Sequence, residues 1–413
     1  MSQISRRHFL QFAGSTLATI GLSPLIQQQG DRYGRVLAQD TPRKLALIVG
    51  INDYPEIGRA RALRGCVNDT ELQRRLLIHR FGFNPCDILV LTNAQATRKG
   101  IIGAFENHLI NQAKPGDVVV FHYSGHGSRV FDPDVLVYGV PKGKTGFNST
   151  FVPVDSRLPA EFPKVGGVVK DIMGHTLFLL MSALQTENVT AVLDSCFSGD
   201  ATRADFIPRS RAGGDNLQIS PDEKAYQDEQ LSKLKLSRDE FVKLYRAGVA
   251  KGVVLAATKT YQTAADAHFN GFYAGAFTYL LTQYLWQQTS TVESAISSIR
   301  EPLFETYEQS PLADIKPGSG YESQPIFFID TNKPPAQAAI TELTGDRATL
   351  WLGGLNKRNL RALKNGTVFT IVDRGNGQVT LNSRTGLVGE ATLNGTAEPG
   401  ALLQKSDSVS TGI

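Results

Sequence analysis

Val118-Val-Val-Phe-His-Tyr-Ser-Gly-His-Gly127 and Thr190-Ala-Val-Leu-Asp-Ser-Cys-Phe-Ser-Gly199 decide how this chain is read. Each starts as an unbroken apolar run, as expected of a strand buried on both faces, and stops in a glycine-bearing turn. Runs of the same kind at 44–49, 87–91, 252–257 and 325–329 predict four more strands. Residues 69–79, 97–112, 171–185 and 272–288 carry apolar side chains at helical spacing. Strands alternating with helices specify an α/β domain from about Arg43 to Asp330, a mostly parallel six-stranded sheet with helices on both faces.

Such sheets gather their reacting groups at the carboxyl ends of the strands. The two quoted strands deliver His126 and Cys196 there. A cysteine attacks as its thiolate, and a nearby imidazole favours that form and can later protonate a leaving amine. Gly125 and Gly127 let the backbone approach a reacting carbonyl, leaving amides for a developing oxyanion. His122 within its strand, His79 and His108 within helical stretches, and Cys86 beside Pro85 read as structural.

Outward from this centre, 413 residues suggest two or three folded units, and 41% hydrophobic residues exclude wholesale disorder. A formal net charge of +4 excludes nucleic acid or anionic lipid held by bulk charge. Three cysteines make neither a disulfide scaffold nor a zinc pair, so no metal ligands are assigned. Ser5-Arg-Arg-His-Phe-Leu10 before a mildly apolar run, with Val36-Leu-Ala38 behind it, reads as a twin-arginine-type signal over residues 1–38. It predicts export to a periplasmic or extracytoplasmic location, with no membrane span left after cleavage. Residues 201–250 are dense in charge and read as an exposed, cleavable linker in which 222–247 has the composition for partial helix. After Asn332-Lys-Pro-Pro335, short alternating runs punctuated by Asn365-Gly366 and Asn376-Gly377 predict an all-β domain over 336–413, a barrel or a sandwich.

Tyr123-Ser-Gly-His-Gly127 and Asp194-Ser-Cys-Phe-Ser-Gly199 resemble the catalytic signatures of the caspase-like cysteine peptidases, specifically metacaspases and the prokaryotic orthocaspases. The resemblance spans about residues 43–330, with a p20-like region at 43–200 and a p10-like region at 251–330. It implies a Cys196 nucleophile, a His126 general acid/base and an oxyanion hole of the Gly127 and Cys196 amides. It implies substrates that are proteins or peptides with Arg or Lys before the cleaved bond (P1), read by a pocket of Cys66, Asp69, Ser124 and Asp194. Carboxylates in a poorly hydrated cleft favour a guanidinium over a neutral side chain by about 2–4 kcal/mol. Self-cleavage is expected in the linker, at Arg246 or within the Arg209–Ala212 run that includes Arg211, and the protein is expected to be a monomer. Family members often need calcium, but Lys170-Asp171 and Gly146-Phe-Asn-Ser149 offer few acids here, so no cofactor is expected to be essential. Two alternatives stay open: a catalytically silent caspase-like binding module, and a legumain-like peptidase of different P1 preference.

Overall fold

The computed structural model describes residues 42–54, 62–132, 146–197, 206–214, 216–259, 261–288 and 290–406. The signal assigned to residues 1–38, and Ser198, Gly199 and Arg203, lie outside the described residues.

Ten of the fourteen described strands of the α/β part, with its seven described α-helices, position the site. The strands are β1 (Lys44–Gly50), β2 (Ile88–Thr92), β3 (Val118–Ser124), β4 (Gly127–Asp132), β5 (Gly146–Phe151), β6 (Val189–Asp194), β7 (Val253–Ala256), β8 (Ala265–Phe269), β9 (Phe272–Gly275) and β10 (Leu312–Ile315). The helices are α1 (Cys66–His79), α2 (Arg98–Ala104), α3 (Gly174–Ala183), α4 (Pro221–Leu234), α5 (Arg238–Ala247), α6 (Ala276–Gln287) and α7 (Val292–Tyr307). Six strands form the central sheet in the order β10-β7-β6-β3-β1-β2. All neighbours run parallel except β10, which is antiparallel to β7. Alternate residues of β1 feed two cores: Ala46 and Ile48 join one, Leu45, Leu47 and Val49 the other. That period of two is the pleat covered on both sides.

Two expectations need correction. Pro325–Ile329 is not the sixth strand: Ile326–Phe328 forms a 3-10 turn, and Phe327 and Phe328 have φ of 56° and 54°, so the chain cannot extend there. The edge position belongs to β10. Nor is 201–250 simply an exposed linker, although the helix expected within 222–247 is present. Its described part contains an extended segment from Phe206 to Gly214, then α4 and α5, capped by the Ser220 and Ser237 hydroxyls. Glu223 of α4 is buried and accepts bonds from the Met173 amide (2.9 Å), the Thr176 hydroxyl and Arg98 Nη2 (2.5 Å), tying this insert to α3.

The tail is a closed antiparallel barrel of β11 (Ala338–Thr344), β12 (Arg347–Trp351), β13 (Val368–Ile371), β14 (Gly375–Thr385), β15 (Val388–Ala397) and β16 (Leu402–Lys405), ordered β11-β12-β15-β14-β13-β16. It shares a hydrophobic core with α1, α6 and α7. Tyr279 Oη donates to the Leu355 carbonyl (2.7 Å), and Arg384 Nη1 to the carbonyl of Asn270 (3.2 Å) in the β8–β9 turn.

Candidate active site

β3 and β6 are adjacent and in register, with Ser124 opposite Asp194. Each stands two residues before a reacting group, so the chain leaves two neighbouring strand ends toward His126 and Cys196, both buried. The His126 backbone is held at both ends. Its amide donates to Tyr54 Oη (2.8 Å), and its carbonyl accepts from Tyr123 Oη (2.9 Å) and the Val152 amide (3.0 Å). The Tyr54 ring lies 4.7 Å from the imidazole, centroid to centroid. Neither tyrosine was given a role from the sequence: Tyr123 opens one quoted signature, and Tyr54 stands outside both.

The cleft is occupied by the chain itself. The Arg209 carbonyl accepts from the Gly127 amide (3.0 Å) and the Cys196 amide (3.1 Å), the two groups expected to form the oxyanion hole. Upstream, Ile207 and Pro208 pair antiparallel with Asp266 and Ala265 of β8, and the Arg209 amide donates to the Ala264 carbonyl (3.0 Å). Downstream, Ser210 and Gly214 bridge to Gly127 and Val130 of β4. Ser210 follows the Arg209 carbonyl and contacts the Cys196 sulfur, favouring its thiolate. An extended segment thus crosses the two strand ends, its Arg209 carbonyl held by the Gly127 and Cys196 amides and its Ser210 side chain against the Cys196 sulfur.

The Arg209 side chain enters the pocket. Its Nη2 lies 2.6 Å from Asp69 Oδ2 and 3.0 Å from Asp266 Oδ1, and its Nη1 lies 3.2 Å from Asp194 Oδ2. Nη1 also donates to Ser124 Oγ (3.3 Å), which donates in turn to Asp69 Oδ2 (3.0 Å). Every member of this cluster is buried, and the acids are braced from behind. Gly275 N–H donates to Asp69 (2.9 Å), Thr278 N–H and Oγ1 to Asp194 (3.0 and 2.6 Å), and Arg64 N–H to Asp266 (2.7 Å). Cys66 lies buried in the same electrostatic environment, and its burial pushes the thiol well above the ordinary range, so it is a neutral wall. The structure thus brings Asp69, Ser124, Asp194 and Cys66 together around the Arg209 side chain. Asp266 and Gly275 were missed as pocket residues. A Cβ on Gly275 would fall 2.1 Å from Asp194 Oδ2 and 2.5 Å from Arg209 Nη1, so the guanidinium enters over a bare backbone.

Burial alone would depress the Arg209 guanidinium; the Asp194 and Asp69 carboxylates outweigh it and hold it well above its usual value. Burial pushes the Asp69 carboxyl upward, opposed by Arg209. The Cys196 thiol is pushed up to about 11 by burial, opposed by the Ala264 backbone and Ser210. With the segment seated, the sulfur rests as a thiol. His122 is a packed core residue, as read: burial lowers it to about 3, and its Nε2 lies 3.0 Å from Ser124 Oγ.

Arg209 and Arg211 were expected on an exposed chain; both are fully buried, because each guanidinium has an acid pocket to fill. Arg246 is exposed, in the last turn of α5. In the segment suspected of holding calcium, Asp171 Oδ1 accepts from Ser156 Oγ (2.6 Å), and Oδ2 from Thr150 Oγ1 (2.6 Å) and Arg211 Nη2 (2.6 Å); among the described residues no group of three or more His, Cys, Asp or Glu side chains is placed to hold a metal ion.

Residues 43–331 match the sequence profile described as "Caspase domain". The chain belongs to the caspase-domain family. It is similar to Metacaspase-1 of Candida glabrata, 29% identical over 69% of this chain and 75% of that one. Metacaspase-1 of Yarrowia lipolytica is 33% identical over 40% of this chain and 33% of its own length, and that of Scheffersomyces stipitis 28% over 65% and 70%. The α/β half is thus a caspase-like cysteine peptidase, a hydrolase whose substrates are proteins. The barrel follows the matched residues in sequence. Among the described residues, no helix is long and apolar enough to cross a membrane.

Proposed function

We propose that the protein is an endopeptidase that cleaves after Arg, and less readily after Lys, through a Cys196/His126 dyad and an acyl-enzyme, and that its first substrate is its own Arg209–Ser210 bond. One observation carries this reading: the Arg209 carbonyl accepts from both oxyanion-hole amides while its guanidinium meets three carboxylates. In the reaction, His126 takes the thiol proton and the sulfur attacks the arginine carbonyl carbon. The new oxyanion keeps the Gly127 and Cys196 amide bonds, which strengthen as charge develops. His126 then returns the proton to the departing Ser210 nitrogen, and a water freed to enter hydrolyses the thioester by the same relay. A planar guanidinium reaches Asp69, Asp194 and Asp266 together, whereas a lysine ammonium is a point donor, hence the preference for Arg. The same acids repel an Asp side chain at P1.

Fluorogenic peptides ending in Arg, Lys, Asn or Asp before the reporter test the specificity. Intact mass of wild type and Cys196→Ala tests self-cleavage. Arg first and Asp last, with a cut after Arg209 only in the wild type, is expected. Turnover of Asn or Asp peptides above Arg, or a cut that survives Cys196→Ala, would overturn the reading.

A further inference from the structure

We infer that the cleft contains a second arginine-reading pocket beyond the scissile bond, built on Asp171 and Ser156, which selects substrates with a basic residue two positions after the cleaved bond (P2′). The inference rests on Arg209–Ser210 being the cleaved bond, which makes Arg211 the P2′ residue. Arg211 is fully buried. Its Nη2 lies 2.6 Å from Asp171 Oδ2, and its Nη1 donates to Ser156 Oγ (3.1 Å). Asp171 is held in place by hydroxyls from two other segments, Thr150 of β5 and Ser156. The backbone around Arg211 is held in register by β4. Arg211 N–H donates to the Gly127 carbonyl (2.8 Å), Ser128 Oγ to the Ala212 carbonyl (3.3 Å), and Gly214 N–H to the Arg129 carbonyl (3.2 Å).

These are the features of a subsite rather than of an incidental pair. The strand that aligns the segment begins at Gly127, whose amide also binds the Arg209 carbonyl, so P1 and P2′ are measured from one ruler. A departing P2′ arginine leaves behind a buried carboxylate served only by neutral hydroxyls, which draws in another cation. Gly213 adds a steric condition: a Cβ there would lie 2.4 Å from the Arg129 carbonyl oxygen, so the P4′ position takes glycine.

The test uses the full chain and quenched peptides Ile-Pro-Arg-Ser-Xaa-Ala-Gly-Gly with Xaa Arg, Lys, Ala or Glu, beside an arginine reporter that ends at the leaving group. Because Arg211 competes for its own pocket, the series is run on wild type and on Arg211→Ala. The expected order of kcat/KM is Arg, Lys, Ala, Glu, with Arg over Ala by roughly tenfold or more, as for charge-assisted hydrogen bonds. In Asp171→Asn the Arg-to-Ala ratio falls toward one; Ser156→Ala, which keeps the carboxylate, lowers it less. If the reporter is hydrolysed but the Xaa series is flat in both enzymes, Arg211–Asp171 is a structural tether and the inference is wrong. If the arginine reporter itself is not hydrolysed, the peptidase reading fails and takes this one with it.

Discussion

Replacing Arg209 by alanine, in a Cys196→Ala background so that the chain stays whole, removes the guanidinium that pairs with Asp69, Asp194 and Asp266. Each ion pair, with charge centres about 4 Å apart, is worth roughly 4 kcal/mol of gross attraction at an effective dielectric near 20. Stripping one partner from a buried pair costs about 3–5 kcal/mol net. Spread over a unit as large as residues 44–413, that lowers the melting midpoint by about 5 °C at pH 7. Asp69, already pushed up by burial, loses the cation that opposes this, so its folded pKa stands further above the unfolded one. Stability from such groups is present at low pH and lost as pH rises, so the deficit relative to Arg209 shrinks toward pH 5. Millimolar benzamidine or agmatine, which carry the missing cation, should restore much of the midpoint in the alanine variant and leave the Arg209 protein unmoved. Differential scanning calorimetry at pH 7 and pH 5, with and without agmatine, reads all of this. A variant as stable as its parent at pH 7 and indifferent to agmatine would refute the seating of Arg209 among the three acids.

Gly275→Ala should leave the fold intact by circular dichroism yet cut kcat/KM on arginine peptides by about a hundredfold or more, since its Cβ takes the guanidinium's place beside Asp194. His79, lowered to about 3 first by burial and then by neighbouring arginines and Lys333, is neutral in the fold and protonates below about 6.5 when unfolded. Stability at this site is therefore lost as pH falls. Between pH 7 and pH 5 the wild type should lose about 2 kcal/mol more than His79→Phe in urea titrations, and parallel curves would refute it. Because Asp171 pairs with an arginine, Arg211 before self-cleavage and a substrate P2′ arginine after it, hydrolysis of P2′-arginine peptides is proposed to survive EDTA with at least half its rate. Complete loss reversed by calcium alone would overturn that proposal.

The parts of this molecule that could be read from sequence are those where one physical cause dominates. β1, β3 and β6 are apolar throughout because both faces are covered, and the reacting groups stand where such strands end. β10 was missed because Leu-Ala-Asp-Ile is short and half exposed at a sheet edge, whereas Ile-Phe-Phe at 326–328 has strand-like composition but turns. The α7 helix went unassigned; Pro302 sits inside it and interrupts the helical pattern. Arg209 and Arg211 looked like solvated linker charges because their partners, Asp69, Asp194, Asp266 and Asp171, are remote in sequence and converge only on folding. The charge pattern of one segment carries no trace of acids contributed by four others.

The tail cylinder gives the two halves opposite manners toward other chains. Its six strands close on one another, so the cylinder has no edge strand to recruit a foreign one. The peptidase half instead keeps β4 at the margin of a three-stranded sheet and lends that margin to an extended peptide. The cleft thus reads an extended peptide by main-chain zippering, whereas the cylinder meets other molecules chiefly through its side chains and loops.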